Sequence, residues 1–329
     1  MSKTPLRVVF MGCPQFAVPA LERLSQDSAF NVVAVYCMPD RPKGRGKKPS
    51  PTPVKLFAET HKLPVFSPET FRHADAEIER LRSFEPDFLV VAAYGLILPQ
   101  TILDIPKLAP VNLHASILPS YRGPSPIHQA IIDGLRETGN TIMLMSKGMD
   151  EGDILATQTT PISPEEDFAA VHDRLSVMGA DLLVDTLKKF AAGSITPLKQ
   201  NHAAATYTRK ITPETAKIDW NAPATDINNQ IRAMSPVPGA WFEDAGERIK
   251  VFRAAPGNAV AAEPGTVLEQ QPGNGILVAC GKGSSLHLLE LQRAGKSRLS
   301  CREFLCGCAL KSNRLVSNDQ NQLKGECRL

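Results

Sequence analysis

At 329 residues the chain exceeds one typical compact domain of roughly 100–200 residues and suits two. Its 43% hydrophobic and 22% charged residues exclude fibrous and low-complexity classes, and its 27 prolines mark many turns. The net charge of +3 is uneven: Lys and Arg outnumber Asp and Glu by 16 to 12 from residue 201 onward and trail by 21 to 22 before it, so the second half accommodates a polyanion without demanding one.

The opening "MSKTPLRVVFMG" runs straight into an apolar strand with neither a signal-peptide core nor an Arg-rich transit segment, which predicts a cytoplasmic protein. Strand patterns follow at residues 7–11, 31–36, 87–93, 111–114 and 141–146. A first helix starts near Phe16 with Ala20, Leu21 and Leu24 on one face. The longest apolar run, "FLVVAAYGLIL" from Phe88, is well short of the roughly 20 residues that span a bilayer. Past the fifth strand, "GMDEGDILATQTTPI" ends in an alternation that predicts an edge strand or hairpin. A long helix comes next, with Ser163 as cap, Pro164 in the first turn and Glu166 closing a capping box, and it stops at Gly193. Strands alternating with amphipathic helices predict an α/β unit, a Rossmann-like and mostly parallel sheet.

Residues 194–212 loosen into polar and small side chains, a linker pattern, so the expected domains are 1–193 and 213–329. In the second, a helix at 226–234 precedes short strands at 239–243, 248–254, 265–269, 275–279 and 285–291, spaced by Gly and Pro turns. That spacing predicts a small OB-like β-barrel, followed by a helix capped by Ser300 and Glu303. The 7 cysteines are odd in number and lack framework spacing, which points to a reducing compartment. Cys301, Cys306, Cys308 and Cys327 are too irregularly spaced to favour zinc over plain thiols.

In an open parallel sheet, ligands gather beyond the carboxyl ends of the strands. Asn112 and His114 stand at such an end, two residues apart and therefore on one face. An amide donor beside an imidazole can hold a developing oxyanion and move a proton, the needs of acyl transfer; a packed structural histidine is the plain alternative. The following "SILPSYRGPSPIH" is stiff, as a preformed pocket requires. Either Asp150 or Asp153 of "GMDEGDIL" could bring a carboxylate to the same place, or simply close the loop. The turn at Gly12 lacks the G-x-G-x-x-G pattern, which disfavours a dinucleotide-dependent oxidoreductase. "DRPKGRGKKPSPTPVK" carries Arg41, Lys43, Arg45, Lys47, Lys48 and Lys55 without an apolar stripe, and it leaves the same end of the sheet, where it could grip phosphates.

Together, "FMGCPQFAVPAL", "RPKGRGKKPSPTPVK", "VVAAYGLILP", "VNLHASILPSYRGPSPI" and "MDEGDIL" resemble the methionyl-tRNA formyltransferases over nearly the whole chain. The Asn-x-His-x-Ser-x-Leu-Pro core alone is similar to that of glycinamide ribonucleotide formyltransferases and other users of 10-formyltetrahydrofolate; the basic loop and second domain narrow the resemblance to the tRNA enzyme. The resemblance implies the formyltransferase fold and transfer of a formyl group from 10-formyltetrahydrofolate to the methionine amine of initiator tRNA, with no metal; the expected protein is a monomer with no membrane partner. It implies that Asn112 and His114 polarise the formyl oxygen and that Asp150 orients His114 and assists proton removal. It further implies a folate wall of Ser116, Ile117, Leu118 and Pro119, with Ala93, Tyr94, Gly95 and Leu96 toward the pterin. Lys43, Arg45, Lys47 and Lys48 would bind tRNA, assisted by the basic C-terminal domain. Cys13 and Gln15 stand where the family more usually carries Thr and Asp, and Ala115 and Ile117 replace the commoner Pro or Gly and Leu. The alternatives are a formyltransferase for a small amine such as an amino-sugar nucleotide, and a tRNA-binding protein without catalysis.

Overall fold

The computed structural model describes residues 4–43, 48–307 and 309–316, without the side chains of Lys43 and Lys48. Arg45, Lys47, Cys308 and Cys327 lie outside the described residues. In chain order the elements are β1 (Leu6–Gly12), α1 (Val18–Gln26), β2 (Phe30–Tyr36), β3 (Arg41–Lys43), β4 (Lys48–Ser50), α2 (Pro53–Thr60), β5 (Val65–Phe66), α3 (Asp75–Ser83), β6 (Phe88–Ala92), α4 (Gln100–Leu103) and β7 (Ala109–His114). Then come α5 (Pro126–Ile132), β8 (Glu137–Leu144), β9 (Ile154–Pro161), α6 (Phe168–Ala191), α7 (Ala224–Met234), β10 (Ala240–Asp244), β11 (Glu247–Pro256), β12 (Val267–Gln271), β13 (Gly275–Cys280), β14 (Ser284–Arg293), β15 (Leu299–Ser300) and α8 (Cys301–Gly307).

Two compact units divide the chain, the first comprising Met1–Pro126, Glu137–Pro161 and His172–Thr208. Its sheet runs β5-β2-β1-β6-β7-β8-β9. The five strands from β5 to β7 are parallel, whereas β8 and β9 pair antiparallel. Val8, Val9, Phe10 and Met11 of β1 and Leu89 and Val90 of β6 are fully buried, as strands covered on both faces must be. Each such side chain contributes roughly 1.5–3 kcal/mol of burial. The order reverses at β1, which has β2 on one side and β6 on the other. That reversal opens the crevice in which an α/β sheet binds ligands. Registers Gly12 to Ala92 and Val91 to Asn112 bring the ends of β1, β6 and β7 side by side.

Two elements depart from the sequence pattern. The long helix begins at Phe168, where the Asp167 carboxylate accepts the Ala170 N–H at 3.0 Å. The Ser163–Glu166 box instead closes the preceding turn, with the Ser163 N–H bonding Glu166 Oε2 at 2.8 Å. The basic stretch is also more ordered at its base than composition suggests, since β3 and β4 pair as an antiparallel ribbon.

The second unit comprises Ile127–Arg136, Ile162–Val171 and Arg209–Leu329. Its strands follow β10-β11-β14-β13-β12, all antiparallel, with β15 added to β14. Trp220, Ile227, Ile231, Phe242, Val251, Val278 and Leu288 form one core between α7 and the sheet. The expected OB-like barrel does not close: among the described residues no ladder joins β10 to β12. Each edge is covered by irregular chain instead. Ile218 N–H bonds the Trp241 carbonyl at 2.7 Å beside β10, and Val267 N–H of β12 bonds Asn313 O at 2.9 Å. Once those backbone groups are satisfied, closure would gain nothing. Ser300 and Glu303 do form the capping box of α8, through the Ser300 N–H to Glu303 Oε2 bond at 2.9 Å. Among the described residues, no helix is long and apolar enough to cross a membrane.

Candidate active site

Strand β7 sinks Val111 and Leu113 into the core and leaves Asn112 and His114 on the alternate face, 9% and 6% exposed. His114 Nε2 meets the Tyr121 carbonyl at 3.0 Å. A carbonyl only accepts, so Nε2 carries a proton, and in the neutral form of the ring the lone pair lies on Nδ1. Nδ1 in turn faces Asp150 Oδ2 at 3.7 Å. The same carboxylate accepts the Gly123 N–H at 2.8 Å and, more distantly, Asn112 Nδ2 at 3.4 Å. Of the two candidate aspartates it is therefore Asp150 that joins Asn112 and His114, while Asp153 closes the loop through its carbonyl to Leu144 N–H at 2.9 Å.

Backbone geometry imposes this arrangement. Asp150 sits at φ +52°, and Tyr121 and Gly123 at +61° and +109°. Only glycine adopts the last without strain, and a side chain there would press within 3.0 Å of the Thr208 carbonyl. Gly152, just past Asp150, packs so closely that an added Cβ would fall 1.9 Å from Leu144 O.

The turn after His114 is pinned to β8. Thr141 Oγ1 donates to Ser116 O at 2.7 Å and accepts from Leu118 N–H at 3.1 Å, while Ser116 Oγ donates to Ser120 O at 2.6 Å. Ser116 and Leu118 are consequently buried, with Ile117 and Pro119 half-buried. From the β6 end, Gly95 and Leu96 line a cavity of about 680 Å³ together with Phe71, Arg72, His73 and Ile78. Ala93 is exposed, whereas Tyr94 is 3% exposed and burial pushes its phenol up.

Cys13 Sγ donates to Tyr94 O at 3.0 Å and accepts from Met38 N–H at 3.2 Å, tying together the ends of β1, β6 and β2. Burial raises its thiol pKa against the opposing Met38 N–H and Arg41 charge, so it is a poor nucleophile and serves as a tie. A smaller cavity of about 340 Å³ lies between Cys13, Met38, Arg41 and Thr52 at the foot of the β3–β4 ribbon. Of the proposed tRNA ligands, Lys43 and Lys48 pair across that ribbon through their backbones, and Arg45 and Lys47 are outside the described residues. Among the described residues no cluster of three or more His, Cys, Asp or Glu is placed to hold a metal ion.

Sequence patterning did not reveal the Tyr121 carbonyl or the Gly123 N–H, because backbone groups carry no residue signature. The glycine in "YRGPSP" was the one available sign.

Comparison with known proteins fits this geometry. The formyl transferase family model matches residues 6–187, and the formyl transferase C-terminal domain model matches residues 210–309. A methionyl-tRNA formyltransferase from Citrifermentans bemidjiense is 45% identical over 95% of this chain and 97% of its own length. Another, from Halalkalibacterium halodurans, is 45% identical over 92% of this chain and 95% of its own. Among solved structures, an N-formyltransferase from Helicobacter canadensis in complex with folinic acid and dTDP-3-aminofucose superposes with a TM-score of 0.66. It covers 88% of this chain and 99% of its own, and at 18% identity it speaks for the fold alone. By the extent and identity of these matches, the chain belongs to the methionyl-tRNA formyltransferase family.

Proposed function

We propose that the protein transfers the formyl group of 10-formyltetrahydrofolate to the α-amine of methionyl initiator tRNA, giving N-formylmethionyl-tRNA for translation initiation. The observation that carries this reading is the meeting of Asn112, His114 and Asp150 at the end of β7 in a chain that matches such enzymes along nearly its whole length. As the amine attacks the formyl carbon, negative charge collects on the formyl oxygen. Asn112 Nδ2 is the fixed donor for that oxyanion. His114 Nδ1 bears the lone pair that takes the proton from the attacking amine, and the Asp150 carboxylate 3.7 Å away stabilises the imidazolium that results. The tetrahedral intermediate collapses by breaking the bond to the folate N10, which recovers a proton as tetrahydrofolate leaves. The transfer as written uses no metal.

The cavity beside Gly95 and Leu96, at about 680 Å³, lies within the roughly 300–1,000 Å³ typical of small-ligand sites and suits a folate. Ala93 and Tyr94 precede it in the chain, and Ser116, Ile117, Leu118 and Pro119, which do not line this cavity, would meet the folate from the end of β7. Lys43, Arg45, Lys47 and Lys48 would grip acceptor-stem phosphates. In this reading residues 1–193 catalyse, 194–212 link and 213–329 bind tRNA, in a cytoplasmic monomer. The test is to supply 10-formyltetrahydrofolate with either charged initiator tRNA or an amino-sugar nucleotide. Formylmethionyl-tRNA is the expected product, and formylation of the sugar alone would overturn the assignment.

A further inference from the structure

Arg122 is 1% exposed, yet its donors go to neutral acceptors. Nε and Nη2 bond Gln200 Oε1 at 3.1 and 2.7 Å, Nη1 bonds the Tyr207 hydroxyl at 3.2 Å, and Nη2 meets His202 Nδ1 at 3.2 Å. A guanidinium has no lone pair to offer, so His202 Nδ1 accepts. Burying a cation on such partners costs free energy that an apolar residue would avoid, so packing alone does not explain it. Gln200 is 5% exposed and faces two ways. Its oxygen receives Arg122, and its Nε2 donates to the carbonyls of Asp150 at 2.9 Å and Gly152 at 2.7 Å.

Arg122 also lies between the two residues whose backbones touch the catalytic groups. Tyr121 O receives His114 Nε2, and Gly123 N–H holds Asp150 Oδ2. Residues 206–208 strap this segment from outside. Thr206 O accepts Arg122 N–H at 2.9 Å, Arg122 O accepts Thr208 N–H at 2.8 Å, and Thr206 Oγ1 accepts Tyr121 N–H at 2.8 Å. The loop bearing His114's partner and the loop bearing Asp150 are therefore bridged by one guanidinium–amide pair. Asp150 and Tyr121 both carry positive φ, conformations that persist where surrounding bonds over-determine them.

We infer that Arg122 and Gln200 are positioning residues for formyl transfer: Gln200, oriented by Arg122, holds the Asp150 backbone so that the carboxylate stays on Asn112 and His114. The inference rests on the catalytic reading above. It places a determinant of turnover in the polar stretch after α6.

Gln200→Glu separates positioning from folding. Glutamate keeps an oxygen for Arg122 and supplies a counter-charge, but it sets a second oxygen against the two carbonyls that Gln200 now bonds. The expected result is a folded protein whose kcat falls by roughly 10- to 100-fold, the cost of a misplacement of about 1 Å, while KM for folate and for tRNA stays within about threefold. Gln200→Met, which removes donor and acceptor at similar length, should give the same split should Gln200→Glu not fold. Wild-type kcat in a folded Gln200 variant, or a KM for folate or tRNA that rises as much as kcat falls, overturns the inference. Wild-type protein in the same assay tests the catalytic reading separately, because inactivity there would count against that reading and not against the clamp.

Discussion

Replacing Asp150 by asparagine removes a charge while leaving the side chain's shape, and the structure sets the size of the effect. The single oxygen of the new amide can still accept the Gly123 N–H now bonded at 2.8 Å, so the loop keeps its anchor. What disappears is the attraction between the carboxylate and an imidazolium proton on Nδ1, 3.7 Å away. At an effective dielectric of about 20, that pair is worth about 4 kcal/mol. A ring that is to act as base starts without that proton and gains little from the carboxylate, so nearly all of this energy is felt as the proton arrives in the transition state. At about 1.4 kcal/mol per factor of ten, Asp150→Asn should lower kcat roughly a thousandfold, with KM for folate little changed. Single-turnover formation of formylmethionyl-tRNA, with circular dichroism to establish folding, makes the measurement. A folded variant within tenfold of wild type would refute the role.

Asn112→Ala deletes an oxyanion donor and should reduce turnover by roughly 100- to 1,000-fold without unfolding; near-normal turnover means that the oxyanion is held elsewhere. Neutralising Arg45 and Lys47 should weaken tRNA binding and flatten its dependence on salt while folate binding holds, and an equal loss of folate binding would make the loop structural. The third concerns Asp244, 2% exposed in the second unit. Burial pushes its pKa up, but N–H groups of Lys311 and Ser312 and the charge of Arg293 outweigh that and hold it below the usual carboxylate range. A depressed folded-state value means that stabilisation is complete above the unfolded value of about 3.9 and drains away as pH falls through it toward the folded one. Asp244→Asn should therefore lower stability at pH 7 by about 1.5–3 kcal/mol and flatten the acid side of a Tm-against-pH curve; an unchanged acid slope contradicts this.

What the sequence made legible follows from the range of the forces involved. Alternation and apolar runs are local, so the central strands of the first sheet were visible within a few residues, as was the alternating edge strand β9. The pair Asn112 and His114 was legible because a strand places residues two apart on one face. The start of α6 was misread because Ser163–Glu166 and Asp167 offer two caps in a row, and only packing chooses between them. That the second sheet stays open was not legible either, since the edges of β10 and β12 are occupied by segments near residues 216–218 and 313 that carry no strand pattern. Gln200 was hidden for the same reason: it sits in a polar stretch without period, and its partner Arg122 is 78 residues away in sequence.

The central claim is that the Asn112–His114–Asp150 group moves a formyl unit from folate to methionyl-tRNA. The direct measurement mixes 10-formyltetrahydrofolate labelled in its formyl carbon with charged initiator tRNA and follows the label in a single turnover, for wild type and for His114→Ala shown to be folded. The account predicts label on the methionine α-amine with wild type and almost none with His114→Ala. Equal labelling by both proteins, or release of the label as free formate by wild type, would contradict it.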